Sequence, residues 1–184
     1  MIHGIDVSSH QSSFSTDGED FVFIKATEGR SYTNPRRAAQ AEQARNAGCV
    51  VGFYHFLWPG DLSDQARYFT DKCGAEDGDV LAVDWETTSS GTRASGGEKD
   101  RFLRMVRELR PDHRVILYCN RTFWRTYDST SYASDGLWIA DYVTKGEPRI
   151  EAEWRFHQYT NDPHDKNVGR FADKDALRSW AKPS

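Results

Sequence analysis

The sequence predicts an α/β fold, an irregular, TIM-like, single-domain β/α barrel with fewer helices in its last third. Three observations carry this expectation. Apolar runs rich in β-branched residues recur along the chain and read as buried strands. Segments of helical pattern separate the earlier runs, which implies βαβ units and a parallel sheet. Late in the chain the strands follow one another with little helix between them, so a regular eight-fold barrel is not expected. An open doubly wound sheet is the alternative. No glycine fingerprint for a dinucleotide follows the first strand, which counts against it. A chain of 184 residues suits one domain, residues 1–184, with a core large enough to need no staples.

Each element has its own warrant. Gly4 to Ser8 reads as the first strand, Phe21 to Ala26 as the second and Val50 to Phe56 as the third. Val80 to Glu86 is the fourth, Val115 to Asn120 the fifth, Leu137 to Tyr142 the sixth and Phe156 to Thr160 the seventh. A short eighth is placed near Phe171 to Asp173. Asn34-Pro35 supplies an N-cap and a proline at the first helical position, and the Ala-rich run that follows stops at Gly48. Asp61 to Lys72 reads as a second helix. Phe102, Met105, Val106 and Leu109 repeat at i, i+3, i+4, i+7, and Pro111 ends that third helix. Arg121 to Tyr127 and Lys174 to Trp180 are short helical candidates. Thr87 to Gly97, rich in Ser, Gly and Thr, reads as a flexible loop.

Composition removes several function classes. The formal net charge of -4 argues against a nucleic-acid partner, which calls for a basic surface. No apolar segment approaches the roughly 20 residues that cross a bilayer, so no membrane partner is expected. The N-terminus has no basic region followed by an apolar stretch, so no secretory signal peptide is read. Cys49, Cys73 and Cys119 cannot all pair within the chain and show no CxxC spacing, so buried free thiols are expected over one disulfide.

The chemistry concentrates at the end of the fourth strand, Val80-Leu81-Ala82-Val83-Asp84-Trp85-Glu86. Side chains at i and i+2 of a strand share a face, so Asp84 and Glu86 project side by side. Two carboxylates in a partly apolar cleft cannot both ionise freely, and one acquires a raised pKa suited to donating a proton. Glycosidic bond cleavage uses such a pair. The same alternation, applied to the other strands, brings Asp6, Tyr54, Tyr118 and Tyr142 to one mouth with the pair, beside Trp138. The result is an acidic pocket walled by aromatics, suited to a sugar ring and to positive charge developing at its anomeric carbon. Lys25, inside an apolar strand, calls for a carboxylate partner, Glu28 or an acid of the pocket. Solvated strand ends, helix caps and core-filling tyrosines are the plainer readings of the same residues. No HxH, HExxH or GxSxG spacing is present, so no metal site and no Ser-His-Asp triad is expected.

Several segments together resemble the family 25 glycoside hydrolases, the Chalaropsis-type lysozymes. They are Gly4-Ile5-Asp6-Val7-Ser8, Phe23-Ile24-Lys25-Ala26-Thr27-Glu28-Gly29, Gly52-Phe53-Tyr54-His55-Phe56 and Asp84-Trp85-Glu86. Leu137-Trp138-Ile139-Ala140 with Tyr142, and Gln158-Tyr159, extend the match over nearly the whole chain. The resemblance implies an irregular β/α barrel and N-acetylmuramidase activity on the glycan strands of bacterial peptidoglycan; no cofactor is implied, and a monomer is expected. It implies that Glu86 is the general acid, with Asp84 and Asp6 as accompanying acids. Either the substrate's 2-acetamido group attacks, oriented by Asp84, or an activated water does. The family also carries an acid in a Val-Asp-x-Asn-like segment near the C-terminus. Ala172-Asp173-Lys174-Asp175 is taken as its match, making Asp173 the candidate, with Asp175 where Asn is usual. His10 and His157 stand where the family often has Trp, which implies altered sugar stacking. Action on the cell wall without a signal peptide implies release as a phage lysin, or secretion by another route. A metal-dependent peptidoglycan amidase or deacetylase and a non-catalytic glycan-binding module are the competing functions.

Overall fold

Eight strands close on themselves around an apolar interior. The computed structural model describes residues 1–184. Strands β1 (Ile2–Val7), β2 (Phe21–Glu28), β4 (Val50–Phe56), β5 (Val80–Asp84), β6 (Val115–Asn120), β7 (Leu137–Ala140) and β8 (Phe156–Thr160) run parallel in that order. β9 (Lys166–Gly169) is antiparallel to both β8 and β1 and closes the ring between them. A two-residue strand, β3 (Tyr32–Thr33), folds back on β2 outside the barrel.

The two-residue period sorts the strand side chains into two cores. Ile2, Phe21, Phe23, Val50, Val80, Ala82, Ile116, Trp138 and Phe156 point inward. The barrel is narrow where Phe21 and Phe23 cross it. A Cβ on Gly52 would lie 2.6 Å from Phe23 Cδ1, so glycine is required at that inward position. Val22, Ile24, Val51, Phe53, Leu81, Val83, Leu117 and Ile139 point outward. They pack against the buried faces of α1 (Arg37–Asn46), α2 (Leu62–Lys72) and α3 (Gly96–Leu109). α3 opens with a reciprocal cap: Ser95 Oγ accepts from Glu98 N at 3.0 Å, and Glu98 Oε1 accepts from Ser95 N at 3.0 Å. No helix lies between β7 and β8, as expected; Ile150, Ala152 and Trp154 of the intervening loop cover that side.

α4 (Lys174–Ala181) seals the barrel end where the parallel strands begin. Its Leu177 and Ala181 join the inward core. Arg178 Nη2 donates to Gly48 O just before β4, and Arg114 Nε before β6 donates to Trp180 O.

Four expectations need correction. The eighth strand is Lys166–Gly169, not residues 171–173; Phe171 instead packs on Phe156 and Trp180 below the barrel. α1 begins at Arg37, because Asn34 Oδ1 accepts from Arg36 N and caps a preceding turn. Residues Phe123–Tyr127 form a π turn, in which Asp128 N donates to Phe123 O. The segment after Glu86 is pinned: Thr88 and Thr92 are hydrogen-bonded through backbone and hydroxyls, and Trp85 Nε1 donates to Ala94 O at 2.8 Å. Cys49, Cys73 and Cys119 are separate buried thiols.

Candidate active site

The mouth opens where the parallel strands end. β5 stops at Asp84, but Trp85 N still donates to Tyr118 O, so the extended path continues one residue further. Trp85 is turned into the outer core and is fully buried. Asp84 and Glu86 therefore share the opposite, inward side. Asp84 is only 4% exposed, and its Oδ1 has no hydrogen-bond donor directed at it; Glu86 is half-buried. Burial holds the Asp84 carboxyl well above the usual carboxylate range, and Glu86 beside it, as charge and as hydrogen-bond partner, pushes the same way; Lys25 offsets part of this. The raised acid of the pair is thus Asp84.

Asp6, on β1, faces the same space. Burial raises its pKa well above the ordinary value, and the neighbouring Asp165 adds to it by charge and hydrogen bond. Two amides work in the other direction: Gln158 Nε2 and Asn167 Nδ2 each donate to Asp6 Oδ2 at 2.8 Å. Both amides are oriented from behind. Gln158 Oε1 accepts from Tyr118 Oη at 2.8 Å and Tyr142 Oη at 3.0 Å. Asn167 Oδ1 accepts from Trp138 Nε1 at 2.7 Å. Every amide atom in this relay has one role, so the carboxylate's donors are fixed before substrate arrives.

Tyr54 and Tyr118 are nearly buried and pack edge-on against Trp138. Burial and the surrounding acids push both phenols well above their usual range. Tyr142 stands at the rim, 52% exposed, its phenol pushed up to about 12 by burial and the acids. Trp138 is 2% exposed and lies under the mouth, acting through Asn167. Lys25 Nζ pairs with Glu28 Oε1 at 2.6 Å, while Glu28 Oε2 accepts from Trp58 Nε1 at 2.8 Å.

The structure therefore brings together Asp6, Asp84, Glu86, Tyr54, Tyr118, Trp138, Tyr142, Gln158 and Lys25. It does not bring Asp173 to them. Asp173 is the N-cap of α4, its Oδ1 accepting from Ala176 N at 2.8 Å, at the sealed end of the barrel. His157 faces outward and is fully buried; its Nδ1 accepts from Gly146 N and its Nε2 donates to Asp141 O, so it cannot stack on a sugar. His10 is an exposed loop residue beyond β1.

The model of the glycosyl hydrolases family 25 matches residues 5–168, which spans every strand of the mouth. The chain belongs to family 25. It is 30% identical over 178 residues to the N,O-diacetylmuramidase of Chalaropsis sp, covering 84% of each. It is 29% identical over 183 residues to the autolytic lysozyme of Clostridium acetobutylicum, covering 94% of this chain but 54% of that protein. Several of the curated relatives it matches are accordingly about twice its length. The muramidase structure from Trichobolus zukalii superposes with a TM-score of 0.87 at 26% identity over 100% of both chains.

Asp165 and Asn167 were missed by sequence reasoning. Asp165-Lys166-Asn167 has the Asp-x-Asn spacing of the family 25 C-terminal segment intact, whereas the segment at Asp173 lacks the Asn. That Asn was the available signal. No three His, Cys, Asp or Glu side chains in the chain are grouped as a metal cage.

Proposed function

We propose that this domain is an N-acetylmuramidase that hydrolyses the β-1,4 bond between N-acetylmuramic acid and N-acetylglucosamine in peptidoglycan. One observation carries the reading: a buried Asp84 of raised pKa lies beside a half-exposed Glu86 on the floor of an acidic mouth. Glu86 is the member of the pair that a sugar can reach. It delivers a proton to the leaving oxygen, and the neighbouring Asp84, whose pKa burial raises, can donate a hydrogen bond to the Glu86 carboxylate that remains. Asp6 and Asp165 add negative potential where the anomeric carbon becomes positive. Tyr142 at the rim offers a face for a sugar ring. Membership of family 25, and relatives described as lysozymes and muramidases, support the same reading.

Digestion of purified peptidoglycan, with new reducing ends identified by mass spectrometry, tests it. Fragments ending in reducing N-acetylmuramic acid are expected. Reducing N-acetylglucosamine would make the domain a glucosaminidase. Freed peptide or acetate that stops with a chelator would mean a metal-dependent amidase or deacetylase, and no product at all a binding module.

A further inference from the structure

A groove of about 740 Å³ lies on the outer wall by the ends of β6 and β7, lined by Arg121, Trp124, Arg125, Arg149, Ile150 and Glu151, among others. Its position follows from the strands. Arg121 comes directly after β6, three residues beyond Tyr118 of the mouth. Arg149 is clamped by Asp141, which directly precedes rim residue Tyr142; its Nη2 meets Asp141 Oδ1 at 2.7 Å and its Nε meets Oδ2 at 3.1 Å. Arg121 Nε in turn donates to Arg149 O at 2.9 Å. The groove therefore lies just outside the rim, its Arg149 hydrogen-bonded to Asp141, the residue before Tyr142.

Its charge is the reverse of its surroundings. The chain carries a net charge of -4, and the mouth holds Asp6, Asp84, Glu86 and Asp165. The groove holds three arginines against one carboxylate, Glu151. Arg149 has its carboxylate already, but neither Arg121 nor Arg125 is ion-paired. Guanidinium groups favour planar oxyanions, bound through paired N–H donors. Trp124 and Ile150 supply apolar surface for short aliphatic side chains.

We propose that this groove binds the carboxylates of the peptide stems carried by the muramic acid residues of the strand in the mouth. The proposal rests on the muramidase reading and extends it to the non-sugar part of the substrate. Binding energy collected there would hold an anionic polymer against a mouth whose own carboxylates repel it.

The test compares the protein with its Arg125→Gln and Arg121→Gln/Arg125→Gln variants on two substrates. One is peptidoglycan with intact stems; the other is the same glycan stripped of peptide by an amidase. Both are first extracted free of phosphodiester polymers. Reducing-end release gives kcat and KM. The expected result is a KM raised about fivefold by the double variant on stem-bearing strands, the scale of two exposed ion pairs, with kcat unchanged. The same variant should match the parent protein on stripped strands. Equal losses on both substrates, or no loss on either, would overturn the proposal. Unextracted walls are assayed alongside, and a loss confined to them would also overturn it, assigning the groove to phosphate. Arg125 is exposed and unpaired, so its single variant keeps the test valid if the double variant folds poorly. If the parent protein releases no reducing ends, the muramidase reading fails. Co-sedimentation with stem-bearing against stripped glycan then decides the groove by itself.

Discussion

A carboxyl as deeply buried as Asp84 is held against the molecule's stability once it ionises. Its folded-state pKa lies above the unfolded value, so its contribution is fully favourable below the ordinary carboxylate range and is lost as pH rises through the raised value. Asp84→Asn should therefore raise Tm near pH 7 by about 2–4 °C for each kcal/mol relieved, while lytic activity collapses. Melts from pH 4 to pH 8 check this. The gap between variant and parent should widen with pH, and a constant gap would refute the account. Glu86→Gln should raise Tm by less than Asp84→Asn does, because it relieves only Glu86's share of the load on Asp84, and should reduce kcat by at least about a hundredfold, the scale of a general acid. Reducing-end assays read that loss; retention of most activity would remove Glu86 from the acid role. Asp84 and Glu86 were legible in the sequence because strand alternation alone puts them side by side. Asp165 was not. Its place depends on β9, whose four residues include one apolar side chain, Val168, and so show no periodicity to read. Asp173 drew attention by an Asp-x-Asp likeness, and its cap geometry is a commoner use of that residue.

At the scale of elements, the uninterrupted apolar runs of β4, β5 and β6 could be read directly, since both faces of these strands are buried. α3 was legible from its spacing. The π turn at Phe123–Tyr127 was not, because an extra residue per turn is set by tertiary packing rather than by propensity. α3 also holds a feature no pattern announces. Lys99 is fully buried, with Nζ 2.5 Å from Asp100 Oδ1 and 2.7 Å from Asp128 Oδ1, and 5.4 Å from the centre of the Trp85 ring. This cation underlies the residue between Asp84 and Glu86. Lys99→Ala should cost about 3–5 kcal/mol, because Asp128 is left buried without its partner. Urea denaturation measures it; a loss below about 1 kcal/mol would mean that the pair barely exceeds its desolvation cost.

The whole molecule divides its tasks between the two ends of one barrel. The end where the parallel strands finish holds the acids, and the other is sealed by α4. Leu177→Ala should thus cost about 2–5 kcal/mol through the cavity it leaves, yet leave turnover per folded molecule unchanged. Melts paired with activity measured well below Tm separate the two effects. Closure of the barrel was an expectation from short connections and a missing dinucleotide motif. Which strand closes it was hidden, because pairing between residues 2 and 169 is a long-range contact that local sequence does not encode.

That closing strand ties catalysis to biosynthesis. Asp6 precedes its two amide donors, Gln158 and Asn167, by 152 and 161 residues. Without Asn167 and the rest of β9 between β8 and β1, the first acid lacks one of its two donors and the ring has a gap. A chain cut short before Asn167 would keep Asp84 and Glu86 but lose one of the two donors that orient Asp6. The order of the first acid thus waits on a segment synthesised 161 residues after it.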